Sequence, residues 1–209
     1  MSKAQTEPSA RTGMSLRTRL SLLMPLLLVA AWFLGKALVR GHVDGLIQGS
    51  VDHALPAFSL QDRSGVSWTR ESVLGKPLVL HFLRSRCGSC DVEAPDYRRF
   101  EARANELGAQ VLHVFTDRVL DFPPDLTERT IAGKNFASPV LLADAAFVDS
   151  FHSAKWSNVT PVTYVADAKG RIRYALRGGQ TVAALTAALD AVSGASPAGG
   201  GSPGTSTGR

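Results

Sequence analysis

Apolar and polar positions divide this chain into stretches of different character. From Leu20 to Gly35 no charge occurs and nearly every residue is apolar. With Ala37, Leu38 and Val39 added and Lys36 snorkelling, the run covers residues 20–39. That is the roughly 20 residues needed to cross a bilayer. Residues 40–53 read as a short spacer. Residues 54–193 alternate short apolar runs with stretches of helical period. Residues 194–209 are almost entirely Gly, Ser, Ala, Pro and Thr, too little apolar surface to order themselves.

Within 54–193, Phe58–Leu60 and Val66–Trp68 flank the turn Asp62-Arg63-Ser64-Gly65 and predict a β-hairpin. Pro77–Leu83 is a short buried strand, apolar apart from His81. Tyr97, Phe100, Ala104 and Leu107 recur at helical spacing and end at Gly108. Val111–Phe115 is the next strand, and a short helix follows the 121–125 loop, up to Gly133. Val140–Leu142 predicts a strand, and Asp144 caps a helix reaching Phe151. Val162–Ala166 and Ile172–Leu176 form a second hairpin around Asp167-Ala168-Lys169-Gly170. Thr181 caps a last amphipathic helix carrying Val182, Leu185, Leu189 and Val192 on one face. Strands alternating with helices, closed by a hairpin and a helix, give an α/β sandwich with a mixed central β-sheet flanked by helices.

The net charge of +5 invites a nucleic-acid reading, but its location removes that reading. Residues 1–50 carry Lys3, Arg11, Arg17, Arg19, Lys36 and Arg40 against Glu7 and Asp44, Arg209 adds one, and the remainder is neutral. The excess flanks the apolar run, so no basic face is expected on the domain and no nucleic-acid partner. The run ends in Leu34-Gly35-Lys36-Ala37-Leu38-Val39-Arg40, a poor cleavage site, which favours a retained signal anchor over a cleaved signal. The basic segment 1–19 precedes it, so the N-terminus stays cytoplasmic and the domain lies outside.

The only two cysteines are Cys87 and Cys90, in Cys87-Gly88-Ser89-Cys90 directly after the strand. Three apart, they can face each other in the first turn of a helix and close a disulfide. At a helix N-terminus Cys87 meets unpaired N–H groups and the positive end of the dipole. Arg84 and Arg86 add positive charge, and each effect favours the attacking thiolate. Other uses of the pair remain. Zinc needs four ligands and the pair supplies two. Covalent haem needs His after the second Cys, where Asp91 stands. A structural disulfide of this spacing closes too small a loop to gain much chain entropy. A peroxiredoxin wants Ser or Thr three residues before its Cys, where Arg84 stands.

Cys87-Gly-Ser-Cys90-Asp-Val-Glu93-Ala-Pro95 resembles the CxxCxxExP motif of membrane-anchored thioredoxin-like thiol–disulfide oxidoreductases of the TlpA/ResA type. Val159-Thr160-Pro161-Val162 through Asp167-Ala-Lys-Gly170-Arg-Ile172 resembles that family's second signature, and Pro56-Ala57-Phe58-Ser59-Leu60 its opening. The resemblance covers residues 54–193. It implies a thioredoxin fold with an N-terminal β-hairpin extension, a cis Pro161 beside the cysteines, and Thr160 offering backbone hydrogen bonds to a partner strand. Arg86 departs from the aromatic residue most relatives carry there. His81 stands six residues before Cys87, at the position of a buried acid in thioredoxins. It is either a proton relay to Cys90 or a satisfied core residue.

The reading that follows is a single-pass protein of a bacterial inner membrane with its catalytic domain on the periplasmic side. Residues 20–39 sit in the lipid bilayer. Its partners are protein thiols and disulfides near the membrane, in maturation of cytochrome c or metalloproteins, with a membrane electron donor regenerating it. It needs no cofactor beyond the redox-active disulfide Cys87–Cys90. The alternative is a thioredoxin-fold copper chaperone using the same cysteines with His81, His113 or His152.

Overall fold

The computed structural model describes residues 16–194, with side chains from residue 24 onward. Most of the basic segment and all but the first residue of the Gly/Ser/Pro tail lie outside the described residues. The chain divides into two compact units, with the boundary between His42 and Val43.

Helix α1 runs Leu16–Gln48 with Pro25 inside it. Met24, Leu26, Leu27, Leu28, Trp32, Phe33, Leu34 and Leu38 are all exposed along it. Met24–Gln48 is long and apolar enough to be a candidate membrane span. The spacer expected over 40–53 is corrected in its first part, which is the end of this helix. Val43 and Ile47, four apart and so on one face, are buried in the core of the second unit.

The second unit opens with the hairpin β1 (Ser59–Gln61) and β2 (Ser67–Thr69), each one residue later than the pattern predicts. Asp62 holds its turn, accepting from the N–H groups of Ser64 and Val66 and from Trp68 Nε1. Gly65 takes the left-handed backbone the turn requires. A short helix α2 (Arg70–Val73), capped by Thr69, follows. Then come β3 (Leu78–Leu83), α3 (Gly88–Glu106), β4 (Gln110–Phe115), α4 (Pro124–Lys134), β5 (Val140–Leu142) and α5 (Ala145–Asp149). A 3-10 turn at Ala154–Trp156 leads to β6 (Val162–Ala166), β7 (Ile172–Arg177) and α6 (Val182–Ser193). Asp144 and Thr181 cap α5 and α6 as their positions predict.

The five strands order as β5-β4-β3-β6-β7, parallel from β5 to β3 and antiparallel from β3 to β7. This is the mixed sheet flanked by helices of a thioredoxin fold. Side chains alternate across β3. Leu78, Leu80 and Phe82 pack with α5 and the end of α1, while Val79, His81 and Leu83 face α3. In register His81 lies between His113 of β4 and Thr163 of β6. The centre of the sheet therefore carries two histidines beneath the helix that begins at the cysteines.

Candidate active site

Strand β3 ends at Leu83 and the chain turns through Arg84, Ser85 and Arg86 to reach Cys87. This turn is held from below. Asp117, just past β4 and 1% exposed, accepts the Ser85 N–H at 2.8 Å, the Ser85 hydroxyl, and the Thr127 hydroxyl at 2.7 Å. It is also held from the side. Arg84 donates to the carbonyls of Ser85, Arg86 and Asn158. Arg84 is thus a structural clamp between two loops, where the sequence suggested only a charge near the thiolate. Arg86 has a left-handed backbone and lays its guanidinium over the Phe122 ring, 5.8 Å from its centroid.

Cys87 is the N-cap of α3 and is bonded to Cys90 in the first turn. Its sulfur accepts the Cys90 N–H at 3.2 Å, the helix-end donation that stabilises a thiolate. Cys87 is 4% exposed and Cys90 fully buried, so attack from outside reaches Cys87 first. The Thr160–Pro161 bond is cis. Thr160 donates its hydroxyl to Cys87 Sγ at 3.4 Å and its carbonyl lies 3.8 Å from the same sulfur. The structure therefore brings Cys87, Cys90, Thr160 and Pro161 together.

His81 lies beneath, in a group the sequence reading only partly anticipated. Its Nε2 is 2.8 Å from Glu93 Oε1, and its Nδ1 is 3.0 Å from Nδ1 of His113. His113 Nε2 is in turn 2.9 Å from Glu101 Oε1. All four side chains are 0–3% exposed. His81 stacks on Tyr97 and His113 on Phe136, each with ring centroids 3.7 Å apart. Burial pushes His81 down to about 3 and His113 to about 4, and pushes Glu93 up to about 7. Burial would also raise Glu101. The hydrogen bonds from His113, Ala137 and Ser138 outweigh it and hold that carboxyl low, at about 2.

Glu101 and Asp117 escaped the sequence reading, and His113 entered it only as a candidate copper ligand. One signal was present: Glu93 lies twelve residues after His81 and Glu101 twelve residues before His113, and the two glutamates lie eight apart on one helix. His152, the third candidate copper ligand, bonds the Tyr164 hydroxyl through Nδ1 at 3.0 Å, apart from the other two. Among the described residues no group of three or more His, Cys, Asp or Glu is placed to hold a metal ion.

The AhpC/TSA family matches residues 51–175. A search of curated proteins finds no match. Solved structures with the same fold include StoA from Bacillus subtilis, at 18% identity and TM-score 0.55, covering 64% of this chain and 96% of that one. A thiol:disulfide interchange protein of the thioredoxin family from Chlorobium tepidum TLS matches at 17% identity and TM-score 0.56, covering 67% and 95%. A secreted Mycobacterium tuberculosis disulfide oxidoreductase matches at 20% identity and TM-score 0.53, covering 64% and 95%. At these identities the likeness is one of fold.

Proposed function

We propose that this chain, which belongs to the AhpC/TSA family, is a membrane-anchored thiol–disulfide oxidoreductase acting on partner proteins outside the cytoplasm. The observation that carries the reading is a Cys87–Cys90 disulfide at the start of α3, with Cys87 against the residue preceding a cis-proline. Two of the neighbours above bear names of a thiol:disulfide interchange protein and a disulfide oxidoreductase, and their fold supports the same use here.

The dithiol form works in two steps. The Cys87 thiolate attacks a partner disulfide, one partner sulfur leaves as thiolate, and a mixed disulfide forms. Cys90 then loses its proton and attacks Cys87 Sγ, closing the pair and releasing the second partner thiolate. Two electrons pass from the cysteine pair to the partner. The N-terminal donation to Cys87 Sγ stabilises the attacking thiolate, while burial keeps Cys90 for resolution. The backbone of Thr160, beside Cys87, is where a partner segment would lie extended.

The apolar helix α1 and the basic residues before it support an anchor with the domain on the periplasmic side. Reduction of partners in cytochrome c or metalloprotein maturation, with a membrane dithiol donor, fits such a placement. The test uses the full-length protein in detergent. Reduction of insulin disulfides should vanish in Cys87→Ser, and Cys90→Ser should accumulate a mixed disulfide through Cys87. Undiminished reduction by Cys87→Ser would refute the assignment. A reduction potential at the strongly oxidising end would reverse the direction to disulfide formation.

A further inference from the structure

Donor and acceptor counting along the buried group gives it a direction. Glu101 accepts three hydrogen bonds. Two come from the backbone N–H groups of Ala137 (to Oε2, 3.0 Å) and Ser138 (to Oε1, 2.8 Å), which can only donate. With both oxygens so engaged Glu101 is ionised, and its third donor is the Nε2–H of His113. A neutral His113 then has a bare Nδ1. That atom lies 3.0 Å from His81 Nδ1, a contact that needs one proton between the nitrogens, so His81 carries it. The Nε2 of a neutral His81 is then bare, and the 2.8 Å contact to Glu93 requires the acid proton of Glu93. Moving that proton onto His81 Nε2 gives an imidazolium–carboxylate pair with the same proton count. The other Glu93 oxygen, Oε2, accepts the Gln180 N–H at 3.1 Å and does not disturb the sequence of donors.

The chain has one end near the cysteines. Cys90 and Glu93 are three apart on α3, both buried and so on the same face of the helix. We propose that Glu93, His81, His113 and Glu101 form a directional proton chain that holds one transferable proton for Cys90. In it Glu101 and His113 act as positioning residues through the histidine tautomers. This rests on the disulfide-exchange reading. When a donor thiolate attacks Cys87 Sγ, a donor–Cys87 bond forms and the Cys87–Cys90 bond breaks. The electron pair goes to Cys90 Sγ, which takes the proton from Glu93. In the opposite direction the Cys90 thiol returns its proton to Glu93 as it attacks the mixed disulfide, and the partner leaves as thiolate. The raised Glu93 and lowered Glu101 agree with this direction.

The charged surroundings do not supply the proton. Lys134 of α4, buried beside the group, is paired with Asp91. Asp96 is paired with Arg99. The Tyr97 hydroxyl is engaged with Thr163 of β6 and held in its protonated form by burial.

Long-range proton–nitrogen spectra of the histidine rings, on the oxidised full-length protein in detergent at pH 6, test the direction without any variant. His81 is expected as Nδ1–H, or doubly protonated, and His113 as Nε2–H. The reversed pair, His81 Nε2–H with His113 Nδ1–H, would overturn the proposal. The second arm is the pH profile of mixed-disulfide resolution. In Glu101→Gln an amide N–H can face His113 Nε2, which reverses the donors and releases Glu93 from its proton. The profile should move to lower pH by at least one unit, a tenfold change in proton concentration, and Glu101→Asp should restore it. Resolution with an unchanged profile in Glu101→Gln sinks the positioning role and leaves disulfide exchange intact. Absence of exchange in the unsubstituted protein sinks the function, while the ring tautomers still report on the chain.

Discussion

Replacing Asp117 by alanine should loosen the active-site turn more than any other single change away from the cysteines. Asp117 is buried and holds the Ser85 N–H and the hydroxyls of Ser85 and Thr127. In Asp117→Ala the Ser85 hydroxyl keeps Thr130 Oγ1 at 2.9 Å, and Thr127 keeps a long contact to the Pro123 carbonyl. The Ser85 N–H keeps no protein partner. A buried group left unpaired costs about 1–3 kcal/mol, and the weakened Thr127 bond adds to it, so the loss should be about 3 kcal/mol. At this chain length that lowers the melting temperature by about 6–12 °C. Asp117→Asn keeps a carbonyl for the Ser85 N–H and lets both hydroxyls turn to accept, so it should lose only about 1 kcal/mol. Thermal unfolding of the full-length protein in mild detergent, followed by circular dichroism, compares the two. Disulfide exchange should fall in the same order, because Ser85 stands two residues before Cys87. Equal melting temperatures for the two variants would refute the argument that the orphaned N–H sets the cost.

Thr160→Val removes the hydroxyl 3.4 Å from Cys87 Sγ but keeps the cis-proline neighbour. A donor to the charged form is lost, so the Cys87 pKa should rise, by less than about one unit, in the pH dependence of alkylation. A fall would contradict the contact. Acid should destabilise the protein through its buried histidines. His152 is held by burial at about 4 against an ordinary 6.5, so its contribution is present above pH 6.5 and lost as pH falls through about 4. That is roughly 3 kcal/mol for His152 alone. His81 and His113 act in the same direction, and Glu93, raised to about 7, acts oppositely, its contribution being lost as pH rises through that value. A melting temperature that is flat from pH 7 to pH 4 would refute this, and His152→Gln should remove part of the fall. A fragment beginning at Val43 should melt at least about 6 °C above one beginning at Ala54. The shorter piece lacks buried Val43 and Ile47, each worth about 1.5–3 kcal/mol, and equal stability would show that these two do not belong to the core.

The sequence was most informative where one residue type answers one local demand. The apolar run of β3, the caps Asp144 and Thr181, and the turn at Asp62 and Gly65 are contained in a few neighbouring residues, and the elements formed there. The cis bond at Pro161 followed from resemblance and not from local chemistry, since Thr-Pro alone reads as an ordinary turn. What escaped was set by tertiary pairing. His113 and Glu101 take on meaning only when β4 lies beside β3 in register and α3 lies above both. Asp117 reads as an ordinary loop carboxylate until Ser85 is brought to it from 32 residues away. The end of α1 was missed for a different reason. Val43 and Ile47 stand among Arg40, His42, Asp44 and Gln48, past the charge-free run, so the stretch read as a spacer and its buried face left no mark.

The three bonds from Arg84 have a consequence for recognition. They fasten the turn before Cys87 to the segment at Asn158, two residues before Thr160, so the two segments that meet at Cys87 cannot drift apart independently. A partner strand entering beside Cys87 meets a site already shaped, and little ordering entropy is charged to the encounter. On the proposed function such a site would select partners by the flexibility they themselves can give up, favouring an unfolded or loosely held cysteine segment over a cysteine fixed within a folded domain.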